Sequence, residues 1–291
     1  MIYRITHTTE YTYAGSISLC HNIAMLIPRD TEQQLRKKTT IHISPEPDVM
    51  NEYEDFFGNK VLYFAIQHQH KKLSVTVTNE IEKQKSPASN LYGNIAWEQA
   101  RQHLFEPNPD YIDARQFITE TSMTTIDEQI TLYALQSFKP NRPIFDAAKD
   151  LMQRIFKDFK FDPDFTTVST PVTEVMRLKR GVCQDFAHLA IACLRSIGLP
   201  ARYVSGYIET LPPPGKEKLV GVDASHAWFS VFIPNLGWMD FDPTNNQIPS
   251  DQHVTIGWGR DYADITPLKG IILSSGSHKL RVSVDVRRLN A

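Results

Sequence analysis

Near residue 83 the spacing of apolar residues changes, from every second position to nearly every fourth, so strands come first in this chain and helices follow. Before the change, Ile41 and Ile43, then Val61, Tyr63 and Ala65, then Leu73, Val75 and Val77 alternate as strands do. Phe57-Gly58-Asn59-Lys60 supplies a turn, and Ser44-Pro45-Glu46-Pro47 interrupts any ladder, which favours an antiparallel sheet with short connections. This predicts a β-rich N-terminal domain over 1–85. The polar run Lys83-Gln84-Lys85-Ser86-Pro87-Ala88-Ser89-Asn90 reads as a linker into a helical connecting region over 86–140. A third unit, 141–291, completes the 291 residues, a division compatible with roughly 150 residues per domain.

Asp127 can cap a helix carrying Ile130, Leu132, Tyr133 and Leu135, and a second helix runs through Ile144, Ala147, Ala148, Leu151, Met152, Ile155 and Phe156. Thr173 precedes a third turn of helix with Val175, Met176 and Leu178. The Arg180-Gly181 turn then delivers Cys183 to an amphipathic run from Phe186 to Leu194, which Gly198-Leu199-Pro200 closes. Extended runs follow at 201–207, 224–233 and 237–241, and helices followed by antiparallel strands indicate an α+β fold rather than a doubly wound sheet. Between the first two runs, Pro212, Pro213 and Pro214 dictate a surface loop. A last strand alternates Leu280, Val282, Val284 and Val286 and can pair with either sheet.

The formal net charge of -2 supplies no global attraction for nucleic acid or an anionic membrane. Three cysteines without a CxxC pair suggest neither a disulfide framework nor a cysteine-rich zinc site. The N-terminus alternates like a strand rather than a signal peptide, and no apolar run approaches the roughly 18 residues of a membrane span. The expectation is a cytoplasmic protein whose partner is chosen by local chemistry. His68 and His70 would share one strand face and could ligate a metal, but beside Lys71 and Lys72 they read as a solvated edge.

Cys183 stands at a helix N-terminus, where unpaired N–H groups favour a thiolate by roughly 0.3 to 1 kcal/mol. Asp185 in the same turn competes for those donors, so a base is needed. His226, on the face of its strand shared with Trp228, is the candidate base. Asp242, where Pro243 stops the next strand, can orient the imidazole; Asp240, two residues earlier, has the same parity, and spacing does not choose between them. His188 lies about 140° around the helix from Cys183 and reads as structural. Cys193 reads as core, Arg202 and Tyr203 as packing and surface residues, and Ser225 cannot share His226's strand face.

Four segments in order, Gly181-Val182-Cys183-Gln184-Asp185-Phe186-Ala187, Leu199-Pro200-Ala201-Arg202-Tyr203-Val204-Ser205-Gly206-Tyr207, His226-Ala227-Trp228, and Gly237-Trp238 with Asp242-Pro243-Thr244, resemble the transglutaminase-like superfamily of papain-type thiol enzymes. The resemblance covers about residues 145–245, and the strand region before it is similar to the β-rich domain that precedes this core in bacterial members. It implies a papain-like core, a cysteine-bearing helix packed on an antiparallel sheet. It implies Cys183 as nucleophile, His226 as general base and acid, and Asp242, through its Asp-Pro-Thr word, as the orienting residue. It allows Trp228 and Trp238 to wall a cleft. The expected activity is acyl transfer on peptide or isopeptide amides through a thioester, foremost hydrolysis. The alternatives are transfer to a primary amine and a non-catalytic protein-binding module on the same scaffold. Animal members depend on calcium, but no EF-hand-like acidic loop is present, so neither metal nor cofactor is expected and the partner would be a protein or peptide substrate.

Overall fold

The structure is a computed structural model that describes residues 1–84, 95–165, 167, 170–209, 225–273 and 276–289. Six strands come first: β1 (Ile2–Ile17), β2 (Cys20–Ile27), β3 (Gln34–Ser44), β4 (Val49–Glu54), β5 (Lys60–Ile66) and β6 (His70–Lys83). Four helices follow: α1 (Trp97–His103), α2 (Pro109–Arg115), α3 (Glu128–Ser137) and α4 (Ile144–Asp158). Then come β7 (Lys160–Phe161), α5 (Val172–Leu178), β8 (Arg180–Gly181) and α6 (Cys183–Ser196). The chain ends in β9 (Ala201–Ile208), β10 (Ser225–Ile233), β11 (Gly237–Phe241), β12 (His253–Gly259), β13 (Leu268–Ile272) and β14 (His278–Leu289). The proline-rich segment and most of the linker read from the sequence lie outside the described residues.

The alternating strands form two antiparallel sheets, ordered β14-β1-β6-β3 and β13-β2-β5-β4. Between them Tyr13, Ile17, Leu26, Ile43, Leu62, Phe64, Val75 and Val77 make a core of their own. The outer end of this sandwich is not closed: Tyr3, Ile5 and Ile81 join the core of the helices instead. The final strand pairs with β1 from Ile2↔Leu289 to Tyr13↔His278, and β13 pairs with β2. The strands β13 and β14, expected at the end of the third unit, therefore complete the N-terminal sheets. Their alternation serves the open edge of β1, where Val284 and Val286 are buried while Leu280 and Val282 remain exposed.

His70 departs from the solvated edge expected of it. It opens β6, is buried beside Tyr13, and faces Cys20 Sγ at 3.8 Å, whereas His68 stays exposed and pairs with Asp48 at 3.3 Å.

The third sheet, ordered β11-β10-β9-β12, carries the site. Strand parity divides its residues. Tyr203, Tyr207, Ala227, Phe229 and Val231 pack into the core under α6, against Phe186, Ala187, Leu189 and Ala190. Arg202, Val204, His226, Trp228 and Ser230 occupy the opposite face. Gly206, paired with His226, has no room for a side chain, since a Cβ there would meet the carbonyl of Val254 and the ring edge of Trp228. That bare backbone lets the indole lie across β9.

Local chemistry sets the helix ends. Asp127 caps α3 by accepting the N–H of Ile130 at 2.8 Å. Gly198, at φ +79°, turns the chain out of α6 into β9. Arg195, buried near that end, donates to the carbonyls of Phe117, Ala201 and Arg260 and to Thr124 Oγ1, tying α6 to the 117–124 segment, to the start of β9 and to the turn after β12.

Candidate active site

Cys183 is the first residue of α6, and its N–H belongs to the turn whose amides lack intrahelical acceptors. Val182 before it is extended and donates its N–H to Asp185 Oδ2 at 2.8 Å. The Asp185 carboxylate is thus folded back onto Val182 N–H, the residue before the cysteine. Gly181 makes this turn possible, because a Cβ there would press against Asp185 Cβ at 2.8 Å.

The half-buried Cys183 thiol stands near enough to His226 to influence its protonation, and His226 sits near the start of β10 with 7 % of its surface exposed. His226 Nε2 lies 2.7 Å from Asp242 Oδ2. Because Nε2 faces a carboxylate, it carries the ring proton, and Nδ1 is left for the thiol. The structure therefore brings the sequence-named residues Cys183, His226 and Asp242 together, with the imidazole hydrogen-bonded to the carboxylate. Asp240 lies apart from it: its Oδ2 accepts Trp228 Nε1–H at 3.1 Å and its Oδ1 accepts Ser230 Oγ–H at 2.5 Å. The two aspartates differ because β11 ends at Phe241. Asp242 bridges to Gln247 instead, which breaks the alternation and turns its side chain toward the imidazole.

Asp242 is fully buried and heavily satisfied. Oδ1 accepts the backbone N–H groups of Thr244 at 2.9 Å and Asn245 at 3.2 Å. Oδ2 accepts from Asn245 Nδ2 at 2.8 Å and from His253 Nε2 at 3.1 Å in addition to His226. Sequence reasoning missed His253 and Asn245. Asn245 follows the Asp-Pro-Thr word by one position, so an Asx-type turn was there to be read. His253 opens β12, whose alternation a bulge between Thr255 and Gly257 disrupts.

The donors have electrostatic consequences. For Asp242, burial opposes ionisation, but hydrogen bonds from His226, His253 and Asn245 outweigh it and hold the carboxyl well below the usual carboxylate range. For His226, burial opposes protonation, yet the hydrogen bonds and charges of Asp242 and Cys183 push the imidazole up to about 10. The ring is therefore an imidazolium at neutral pH, poised to give up a proton.

His226, Asp242 and His253 place ligand atoms within 4.8 Å of one another, close enough to hold a metal ion. The hydrogen bonds they exchange account for the same closeness. His188 lies buried on the far side of the helix, accepting Tyr262 N–H at Nε2 and stacking on Tyr203, and burial lowers it to about 4. Cys193 is in the core, its thiol pushed up to about 12 by burial.

Removing the His253 donor should loosen Asp242 without unfolding the sheet. His253→Phe is expected to lower kcat by about 10- to 100-fold, the range for one hydrogen bond to a charged group, while His253→Gln retains more of the rate. Steady-state kinetics beside thermal unfolding of both variants checks this; equal rates in all three proteins would show that His253 does not position the carboxylate.

Residues 3–82 match the bacterial transglutaminase-like N-terminal region, and residues 132–243 match the transglutaminase-like superfamily. An uncharacterised protein of Mycobacterium tuberculosis is 39% identical over 98% of this chain and 92% of its own length. A protein-glutamine gamma-glutamyltransferase of Pseudomonas aeruginosa is 31% identical over 34% of this chain and 16% of its own. The crystal structure of a candidate cysteine protease from Cytophaga hutchinsonii shares the fold, with a TM-score of 0.79 at 21% identity, covering 100% of this chain and 91% of that one. No helix among the described residues is long and apolar enough to cross a membrane. With both family regions in order and the cysteine-bearing helix packed on the antiparallel sheet, the chain belongs to the transglutaminase-like superfamily.

Proposed function

We propose that this protein is a thiol enzyme that transfers the acyl group of a peptide or isopeptide amide, with water as the acceptor, through Cys183, His226 and Asp242. One observation carries the reading: Cys183 at the head of α6 stands beside His226, which is hydrogen-bonded to a buried, fully donated Asp242. The resting pair is the His226 imidazolium beside a Cys183 thiolate, and that thiolate attacks the amide carbonyl. The N–H of Cys183, at the start of α6, is one donor for the oxyanion that forms. The imidazolium then protonates the leaving nitrogen as the C–N bond breaks, leaving a thioester on Sγ. Water, deprotonated by the neutral imidazole, attacks the thioester, releasing the acid and the thiol.

The same thioester accepts a primary amine equally well in chemical terms, and the resemblance to the Pseudomonas protein-glutamine gamma-glutamyltransferase favours that second reading. Trapping decides. A library of glutaminyl and isopeptide substrates, quenched in acid, should yield an acyl adduct on the peptide containing Cys183, and chase with a mixture of water and cadaverine should release chiefly the free acid. A predominantly amide product would move the activity to cross-linking, and no adduct on Cys183 from any substrate would count against acyl transfer altogether.

A further inference from the structure

On the sheet face away from α6 lies a cavity of 460 Å³, walled by Trp228, Trp238, Trp258 and Val204 and lined also by His253 and Arg202. That volume suits a small ligand. Arg202 is 8% exposed, with its Cζ 4.4 Å from the Trp238 ring centre and 3.7 Å from that of Trp258, so both faces of the guanidinium are covered by indoles. Its Nε is buried without a hydrogen-bond partner, and among the described residues the side chain forms no ion pair. Asp240 supplies negative charge nearby, but both its oxygens are engaged, by Trp228 and Ser230. Burying a cationic side chain with its Nε unpartnered and no counter-ion on it is costly, and a ligand anion in the cavity would offset that cost.

We propose that this cavity is a binding site for a carboxylate-bearing small molecule or chain end, seated edge-on against the Arg202 guanidinium between Trp238 and Trp258. With its faces stacked, the arginine offers only its edge of N–H donors, the geometry that matches a planar carboxylate. A single negative charge suits the site better than a phosphate dianion, because Asp240 stands beside the arginine and Asp30 and Glu32 occupy the exposed rim. The ligand would also reach His253, whose Nε2 donates to Asp242. The cavity does not include the reacting groups, since neither Cys183 nor His226 lines it, and it meets the catalytic group through His253.

Three of the four tryptophans, Trp228, Trp238 and Trp258, line the cavity, so intrinsic fluorescence reports its occupancy. The full chain is titrated at constant ionic strength with acetate, succinate and glutarate, and with glutaramide, inorganic phosphate and methylamine as counter-probes. At least one carboxylate should give a saturable change with half-saturation below about 10 mM, and glutaramide none. Cys183→Ala should bind as the native protein does, which keeps this outcome distinct from the fate of the catalytic reading. Arg202→Gln should weaken binding about tenfold or more. Should Arg202→Gln melt non-cooperatively, Arg202→Lys, which keeps the charge and loses the fork, takes its place. Absence of any saturable response to the carboxylates in the native protein would overturn the proposal. So would an equal response to glutaramide, a stronger response to phosphate or methylamine, or undiminished binding in a folded Arg202 variant.

Discussion

Cys183→Ala is expected to abolish turnover, with a fall of about 10⁴- to 10⁶-fold in kcat, while the protein keeps its fold. The loss is large because in the proposed acyl transfer the sulfur is the bond-forming atom, and without it His226 and Asp242 would have nothing to activate. Stability should move by no more than about 1 kcal/mol, since the residue is half-buried at the first position of α6 and alanine is a strong helix former there. Alkylation supplies a second readout. Cys20 and Cys193 are fully buried and burial pushes both thiols up, so the native protein should take one rapid iodoacetamide adduct, at Cys183. Intact mass of the variant should show none. Persistent rapid labelling or retained turnover in Cys183→Ala would place the nucleophile elsewhere.

That a single sulfur could be singled out from the sequence reflects which constraints are local. A glycine two positions ahead of Cys183 and a proline after Asp242 fix backbone geometry within a few residues, so the words around them read directly. Period likewise separated the strands of the N-terminal region from α3, α4 and α6. What could not be read depends on partners distant along the chain. The edge of β1 that receives β14 is 265 to 287 positions away in sequence, and alternation tells which face a strand buries but not which neighbour it joins. His253 is a lone histidine on a bulged strand, and only the fold brings it to Asp242 Oδ2. Arg202 read as a packing or surface residue because its companions, Trp238 and Trp258, lie on two other strands. His70 looked solvated beside two lysines, yet the register of β6 on β1 shifts between Thr12 and Ile17, which breaks the alternation and buries the imidazole while both lysines stay exposed.

Asp242→Asn should cost about 10²- to 10⁴-fold in kcat/KM and should also move the pH profile, which a merely structural lesion would not do. In the native protein His226 stays protonated up to about pH 10, because hydrogen bonds to Asp242 and Cys183 outweigh its burial. Since the imidazolium is the acid for the leaving amine, the alkaline limb of the profile should fall through that region. Asparagine keeps the shape but removes the charge, and its single carbonyl oxygen must be shared by His226 and His253 while its NH₂ faces donors. Burial then prevails, the imidazole titrates lower, and the alkaline limb should move down by about one pH unit or more. Stability follows the same signs. The raised His226 stabilises the fold fully below its unfolded value of about 6.5, and that contribution is lost as pH rises through about 10. The depressed Asp242 stabilises above its unfolded value of about 3.9 and is lost as pH falls through its lower folded value. The native protein should therefore draw most from the pair between about pH 4 and 6.5, and denaturant titrations across pH should show that advantage flattened in Asp242→Asn. An unmoved alkaline limb in a folded, slowed variant would mean that Asp242 holds the ring in place without setting its proton affinity, and the acid-base role would then rest on Cys183 and His226 alone.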